Sequence, residues 1–214
     1  MYEYVALIGV DGAGRFFRYA DTPNLDRIMA DAATSEDVLT SLPTISGECW
    51  GSMLHGVKPE YHRLTNAICD TVEYDRQSPY PSLFREIRKK YPDAPMASFS
   101  NWNPINFGII ENGLDVYKDT AGEDWEVTDK TCDYLSHTIP KRLFVQFDWV
   151  DGAGHFYGYG ADSPKYLNQI HTTDGYIDRI YQKYAEAGVL DKTLFIVTAD
   201  HGGIDKFHGG ESDY

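Results

Sequence analysis

The sequence predicts an α/β fold, a mostly parallel central sheet with helices on both faces. Three observations predict it. Short runs rich in β-branched and aromatic residues recur at 5–10, 96–100, 143–150 and 194–197 of a 214-residue chain. Stretches with apolar residues at helical spacing lie between them. Several of the runs end abruptly in a carboxylate followed by small residues, and ligands gather at the carboxyl ends of strands in such folds.

Taken in order, Val5 to Val10 is the first buried strand and ends in Asp11-Gly12. Thr22-Pro23-Asn24 opens a helix with Leu25, Ile28 and Met29 on one face. A second strand is expected around Asp37 to Leu42, delivering Pro43-Thr44-Ile45-Ser46-Gly47 at its end. Trp50 to His55 begins a helix ended by Gly56 and Pro59. Ser78 to Tyr91 reads as an amphipathic helix on Leu83, Phe84, Ile87 and Tyr91, stopped by Pro92. Met96 to Ser100 is a short strand followed by a polar loop, and Asp124 to His137 is a helix. Leu143 to Val150 is a strand that ends in Asp151, with His155 four residues on. Ser163-Pro164 caps a long helix carrying Leu167, Ile170, Ile177, Ile180 and Tyr184 inward, which stops at Gly188. Leu194 to Val197 is a buried strand that ends in Asp200-His201-Gly202-Gly203.

Composition narrows the function. Acidic residues outnumber basic ones 33 to 19, for a net charge of −14. That argues against binding a nucleic-acid polymer, which needs basic patches to displace counterions. A small phosphorylated substrate stays open, because bound cations reverse the local field. No apolar run approaches about 20 residues, so no membrane span is expected. Met-Tyr-Glu-Tyr is not a signal-peptide start, and the default location is the cytoplasm. Cys49, Cys69 and Cys132 show no paired spacing, so neither a disulfide framework nor a cysteine zinc site is expected.

The predicted strand ends carry Asp11, the Thr44/Ser46 pair, Asp151 with His155, and Asp200 with His201; His208 follows seven residues after His201. An acid and an imidazole together at a strand end are poor core chemistry, since each needs a partner when buried. They suit a metal. Mixed carboxylate and imidazole sets without cysteine favour zinc, manganese, magnesium or iron. Seven donors are too many for one ion and about right for two that share a substrate. Trp50, Trp102, Phe107 and Tyr157 lie on segments near the expected mouth, where a ring could stack on a base or simply pack.

Taken together, Gly9-Val10-Asp11-Gly12, Thr22-Pro23-Asn24-Leu25-Asp26, Pro43-Thr44-Ile45-Ser46 with Trp50, Ser52, Gly56, Pro59 and His62, Val150-Asp151-Gly152-Ala153-Gly154-His155 with Gly158, and Ala199-Asp200-His201-Gly202-Gly203 resemble the alkaline phosphatase superfamily, in its type I phosphodiesterase/nucleotide pyrophosphatase branch. The resemblance implies an alkaline-phosphatase-like α/β/α sandwich. It implies two divalent metals, zinc foremost, one held by Asp11, Asp200, His201 and the nucleophile hydroxyl, and a second held by Asp151, His155 and His208. The implied nucleophile is Ser46, six positions before Ser52, with Thr44 as the alternative. Ser46 would attack phosphorus in line, and water would then hydrolyse a phosphoserine. Cys49 stands where nucleotide pyrophosphatases carry a phosphate-binding asparagine, and with Trp50 it is a candidate for substrate contact. That departure leaves a phosphomonoesterase or phosphomutase of the same superfamily as the alternative to a phosphodiesterase, and a catalytically silent metal-binding module as a third reading. The substrate expected is a small phosphorylated molecule, a nucleotide among the candidates. The sequence reads as a single domain over 1–214, incomplete at its C-terminus, with about 66–120 as a specificity insertion. No Cys-x-Pro-x-Arg or Ser-x-Pro-x-Arg segment is present, which argues against the sulfatase branch.

Overall fold

Five strands form one sheet in the order β3-β2-β4-β1-β5, and all four pairings are parallel. They are β1 (Tyr4–Val10), β2 (Met96–Ser100), β3 (Val116–Thr120), β4 (Arg142–Phe147) and β5 (Thr193–Thr198). The computed structural model describes residues 2–35 and 37–210.

Parallel strands need crossovers, and the helices that make them cover both faces. Side chains alternate along a strand, so Ala6, Ile8 and Val10 face one layer and Leu7 the other. The first layer holds α1 (Pro23–Met29), α6 (Asp124–His137), α7 (Trp149–Tyr157) and α8 (Pro164–Glu186). The second holds α2 (Ser46–His55), α4 (Asn66–Thr71), α5 (Leu83–Lys90) and a π-helical turn at Ile105–Ile109, with Trp50, Leu54, Phe84 and Ile105 fully buried; the short α3 (Pro59–His62) follows α2. Among the described residues no helix is long and apolar enough to cross a membrane.

Several boundaries differ from the sequence expectation, each for a physical reason. Residues 37–42 form no strand, and Val38 and Leu39 are 74% and 75% exposed. Both neighbours of β1 come from later in the chain, so this segment runs across the strand ends instead. There Thr40 donates its hydroxyl to the carbonyl of Asp200. The α2 helix starts at Ser46, four residues earlier than expected, which puts the expected nucleophile in its first turn. The α5 helix is trimmed to 83–90 because Pro79 and Pro81 disfavour helix before them, and Ser82 caps it by accepting from Arg85 N. The β4 strand ends at Phe147, so Asp151 and His155 sit one turn apart on α7 rather than at a strand end.

β5 is an edge strand among the described residues, and beyond Thr193 it is only half-buried. β3 was not expected; it is the opposite edge, polar and half-exposed, so it lacks a core strand's pattern. The span 66–120 includes β2, which pairs on both sides within the sheet. The same span supplies α4 and α5 to the second layer, with Cys69 and Phe84 buried there. Neither Thr22 nor Ser163 caps its helix through its side chain. Asp174 of α8 caps α1 instead, accepting from Asn24 N at 3.1 Å and Leu25 N at 2.7 Å.

His62, beside α2, yields a pH prediction. Its Nδ1 accepts from Leu64 N at 3.0 Å, which leaves Nε2–H to donate to Ser52 Oγ at 3.0 Å, so the neutral ring fits. Burial, helped by nearby His55, pushes its pKa from 6.5 down to about 4. A depressed imidazole stabilises the fold above its unfolded pKa, and that contribution is lost as pH falls from 6.5 through about 4. Denaturant midpoints at pH 7 and pH 4.5 should fall with acid in the wild type and fall less in His62→Gln. An equal acid loss in the two proteins would remove His62 from the account.

Candidate active site

The site forms where β1, α2, α7 and the segment after β5 meet at the carboxyl end of the sheet. β1 ends in Asp11, whose carboxylate is 1% exposed. Gly9 lets this happen: a Cβ there would lie 2.2 Å from the Trp50 ring, so only glycine lets the indole pass beneath the strand. The indole then donates from Nε1 to Asp11 Oδ2 at 2.7 Å. Asp11 Oδ1 faces Ser46 Oγ at 3.5 Å and His201 Nε2 at 3.3 Å, and the same nitrogen is 3.3 Å from Ser46 Oγ.

Asp200 accepts from Gly12 N through Oδ1 at 3.2 Å, and its Oδ2 lies 3.4 Å from His201 Nε2. That buried Oδ2 accepts no hydrogen bond among the described residues. Asp151 is 3.3 Å from His155 Nε2 and 3.7 Å from His208 Nε2, and accepts from the Tyr159 hydroxyl at 2.5 Å. The ligand-type atoms of Asp151, His155 and His208 lie within 4.8 Å of one another, as do those of Asp11, Asp151 and His201. Asp151 thus stands between two clusters.

All three imidazoles point the same nitrogen inward. Nδ1 of His155, His201 and His208 lies 2.9, 2.9 and 2.6 Å from the carbonyls of Lys206, Gly202 and Thr44. A carbonyl only accepts, so each Nδ1 carries a proton and each Nε2 is the nitrogen that faces the carboxylates. Nε2 of His155 and His208 are 3.0 Å apart. Two lone pairs at that distance repel unless a cation or a shared proton stands between them. Backbone carbonyls that orient imidazoles in this way are the usual support of metal ligands.

The electrostatics agree. Burial pushes Asp200 and Asp151 above the carboxylate range, and the charge of Asp11 adds to it. Asp11 itself is held low, because the hydrogen bond and charge of His201, with the Trp50 N–H, outweigh its burial. Burial would lower His201, but Asp200 and Asp11 drive it up to about 10. The pocket therefore calls for positive charge at the point Nε2 faces.

Thr44 and Cys49 sit differently from Ser46. Thr44 Oγ1 accepts from Gly209 N at 2.8 Å while its carbonyl holds His208, so it clasps the 208–210 segment. Cys49 is buried and points its thiol at the carbonyls of Ser41 and Pro43, 3.4 and 3.7 Å away. Burial and Asp200 push that thiol up to about 12. Trp50 is fully buried, with its ring edge-on to Phe144. Of the two candidates for substrate contact, Trp50 supports Asp11 from beneath the strand, and Cys49 faces the carbonyls of Ser41 and Pro43. Tyr159 and Gln146 were missed, and nothing local in the sequence marks either.

The profile of the family described as Type I phosphodiesterase / nucleotide pyrophosphatase matches residues 73–208, more than half of the chain. The match contains Asp151, His155, Asp200, His201 and His208, while Asp11 and Ser46 precede it. No curated protein sequence matches significantly. Among solved structures, an inactive form of murine ectonucleotide pyrophosphatase/phosphodiesterase 5 in complex with AMP superposes with a TM-score of 0.74 at 17% identity, over 94% of this chain and 57% of that one. The human counterpart gives 0.73 at 17% identity, over 93% and 57%. A 2-O GAG sulfatase gives 0.73 at 13% identity, over 100% and 62%. At these identities the likeness is one of fold, and the chain spans less than two thirds of the length of these neighbours.

Proposed function

The chain belongs to the type I phosphodiesterase/nucleotide pyrophosphatase family, and on that footing we propose that it hydrolyses phosphate esters through a covalent phosphoserine on a two-metal site. The observation that carries this is the pair of carboxylate and imidazole clusters that share Asp151, one of which faces the hydroxyl of Ser46 through Asp11 and His201. The donor set fits divalent cations, zinc foremost, with manganese, magnesium or iron as the alternatives. Asp11, Asp200, His201 and Ser46 would hold one ion, and Asp151, His155 and His208 the other. Bound there, the cations would acidify the serine hydroxyl and neutralise charge on the phosphoryl oxygens.

The chain's own residues supply the rest. Ser46 lies in the first turn of α2, where the helix dipole favours the developing negative charge. Its Oγ–P bond forms as the bond from phosphorus to the leaving oxygen breaks. Ser46 Oγ lies 3.3 and 3.5 Å from His201 Nε2 and Asp11 Oδ1, which would share its cation, and the acidified hydroxyl would lose its proton to water. Thr44 keeps His208 aimed at the site, and Asp151 is steadied by Tyr159. Water then attacks the phosphoserine and frees Ser46.

The substrate we favour is a small phosphodiester, a nucleotide among the candidates, as with the AMP held by the murine neighbour. The buried Cys49 supports a second reading, since it offers a phosphate oxygen no donor. That reading is a phosphomonoesterase or phosphomutase. Metal analysis of the purified protein together with p-nitrophenyl phosphate and bis(p-nitrophenyl) phosphate separates the cases. The diester is expected to turn over faster, and a faster monoester reverses the order of the readings. Two equivalents of metal with neither ester cleaved would leave a silent metal-binding module and end the proposal.

A further inference from the structure

We propose that Gln146 is a positioning residue that splits the two oxygens of Asp11 into separate roles, an inference that rests on the two-metal reading. Gln146 is fully buried on β4, in register with Gly9 of β1, and so lies beside the strand that delivers Asp11. Its Nε2 donates to Asp11 Oδ2 at 3.2 Å and to Asp148 Oδ1 at 2.9 Å. Its Oε1 accepts from the backbone N–H groups of Asn101 and Trp102 at 3.1 and 2.9 Å. Every donor and acceptor of the amide is used. A flipped amide would set its oxygen against two carboxylates, so the orientation follows from the partners alone.

With Trp50 Nε1 on the same Oδ2, two donors hold that oxygen away from the site. Oδ1 is left to face Ser46 and His201. Fold alone does not ask for an amide here, because Phe144, two residues earlier on the same face, packs into the apolar layer. A buried amide earns its desolvation only through its partners. The start of α7 has its own anchor: Asp148 N and Trp149 N donate to Asp124, which also accepts from Asn101 Nδ2, so the helix that carries Asp151 and His155 is held apart from the Gln146–Asp11 bond.

The test is a zinc titration of metal-stripped protein by calorimetry, with unfolding followed in parallel. Gln146→Met keeps the length and removes both donors. Supporting partners of this kind affect metal affinity by about 10–100-fold. A loss of that size is expected for one of two equivalents, the one assigned to Asp11, Asp200 and His201, with the other binding as in the wild type. Gln146→Asn keeps an amide too short to reach Asp11 and covers the case in which the Met variant does not fold; it should show the same selective loss. Wild-type affinity at both sites in a folded variant, or equal weakening of both, overturns the inference alone. A wild type that binds no zinc overturns the two-metal reading and the inference with it.

Discussion

Ser46→Ala is expected to abolish phosphate-ester turnover while leaving metal content unchanged. Losing a nucleophile that forms a covalent intermediate costs kcat on the order of 10⁴-fold or more, and the residual rate reflects positioning and charge. The fold should tolerate the change, because among the described residues Ser46 Oγ bonds to Asp11 and His201 alone, at 3.5 and 3.3 Å, and both keep other partners. Thr44→Val is the informative companion. Its hydroxyl accepts from Gly209 N, beside His208, so the variant should keep the covalent step and weaken the site around His208. Quenched-flow detection of phosphoenzyme distinguishes them: none in Ser46→Ala, and some in Thr44→Val. Full turnover by Ser46→Ala would remove it as nucleophile, and inactivity of Thr44→Val with full metal content would move the assignment to Thr44.

The sheet and the polar residues at its carboxyl edge were legible because they leave a local trace. A run such as 5–10 that stops at Asp11, or 193–198 that stops before Asp200, shows both the strand and the oddity of its end. What could not be read depends on partners distant in sequence. Residues 37–42 have strand-like composition, yet the places beside β1 are taken by β4 and β5. Asp174 caps a helix 150 residues away, and Gln146 reaches Asp11 across 135. Neither has a motif. Trp50 was legible as an aromatic near the site, but its burial follows from Gly9, whose missing side chain is the space the indole fills. The bonds from Thr44 to His208 and Gly209 likewise cross more than 160 residues and have no local signature.

Stripping divalent ions is expected to lower the melting temperature as well as to abolish activity. The site keeps Asp11 and Asp200 almost fully buried beside His201, with Asp151 close by, so without a cation the fold bears the repulsion of grouped carboxylates. A ligand at 100 times its dissociation constant stabilises the state it binds by about 2.7 kcal/mol. In a domain of this size 1 kcal/mol moves the midpoint by about 2–4 °C, so one occupied site is worth roughly 5–10 °C. Thermal scans with chelator, then with zinc, manganese, magnesium or calcium restored, measure the shift and rank the metals. Nitrogen donors at both clusters should place zinc or manganese above magnesium and calcium, which prefer oxygen. His208→Ala divides the effect, because it removes one nitrogen from the Asp151–His155 cluster and leaves the Asp11–Asp200–His201 set complete. That variant should keep part of the zinc-induced shift and one equivalent of metal. A midpoint that ignores both chelator and zinc, with no metal retained on purification, would mean that three inward imidazoles and three carboxyl groups hold each other without an ion.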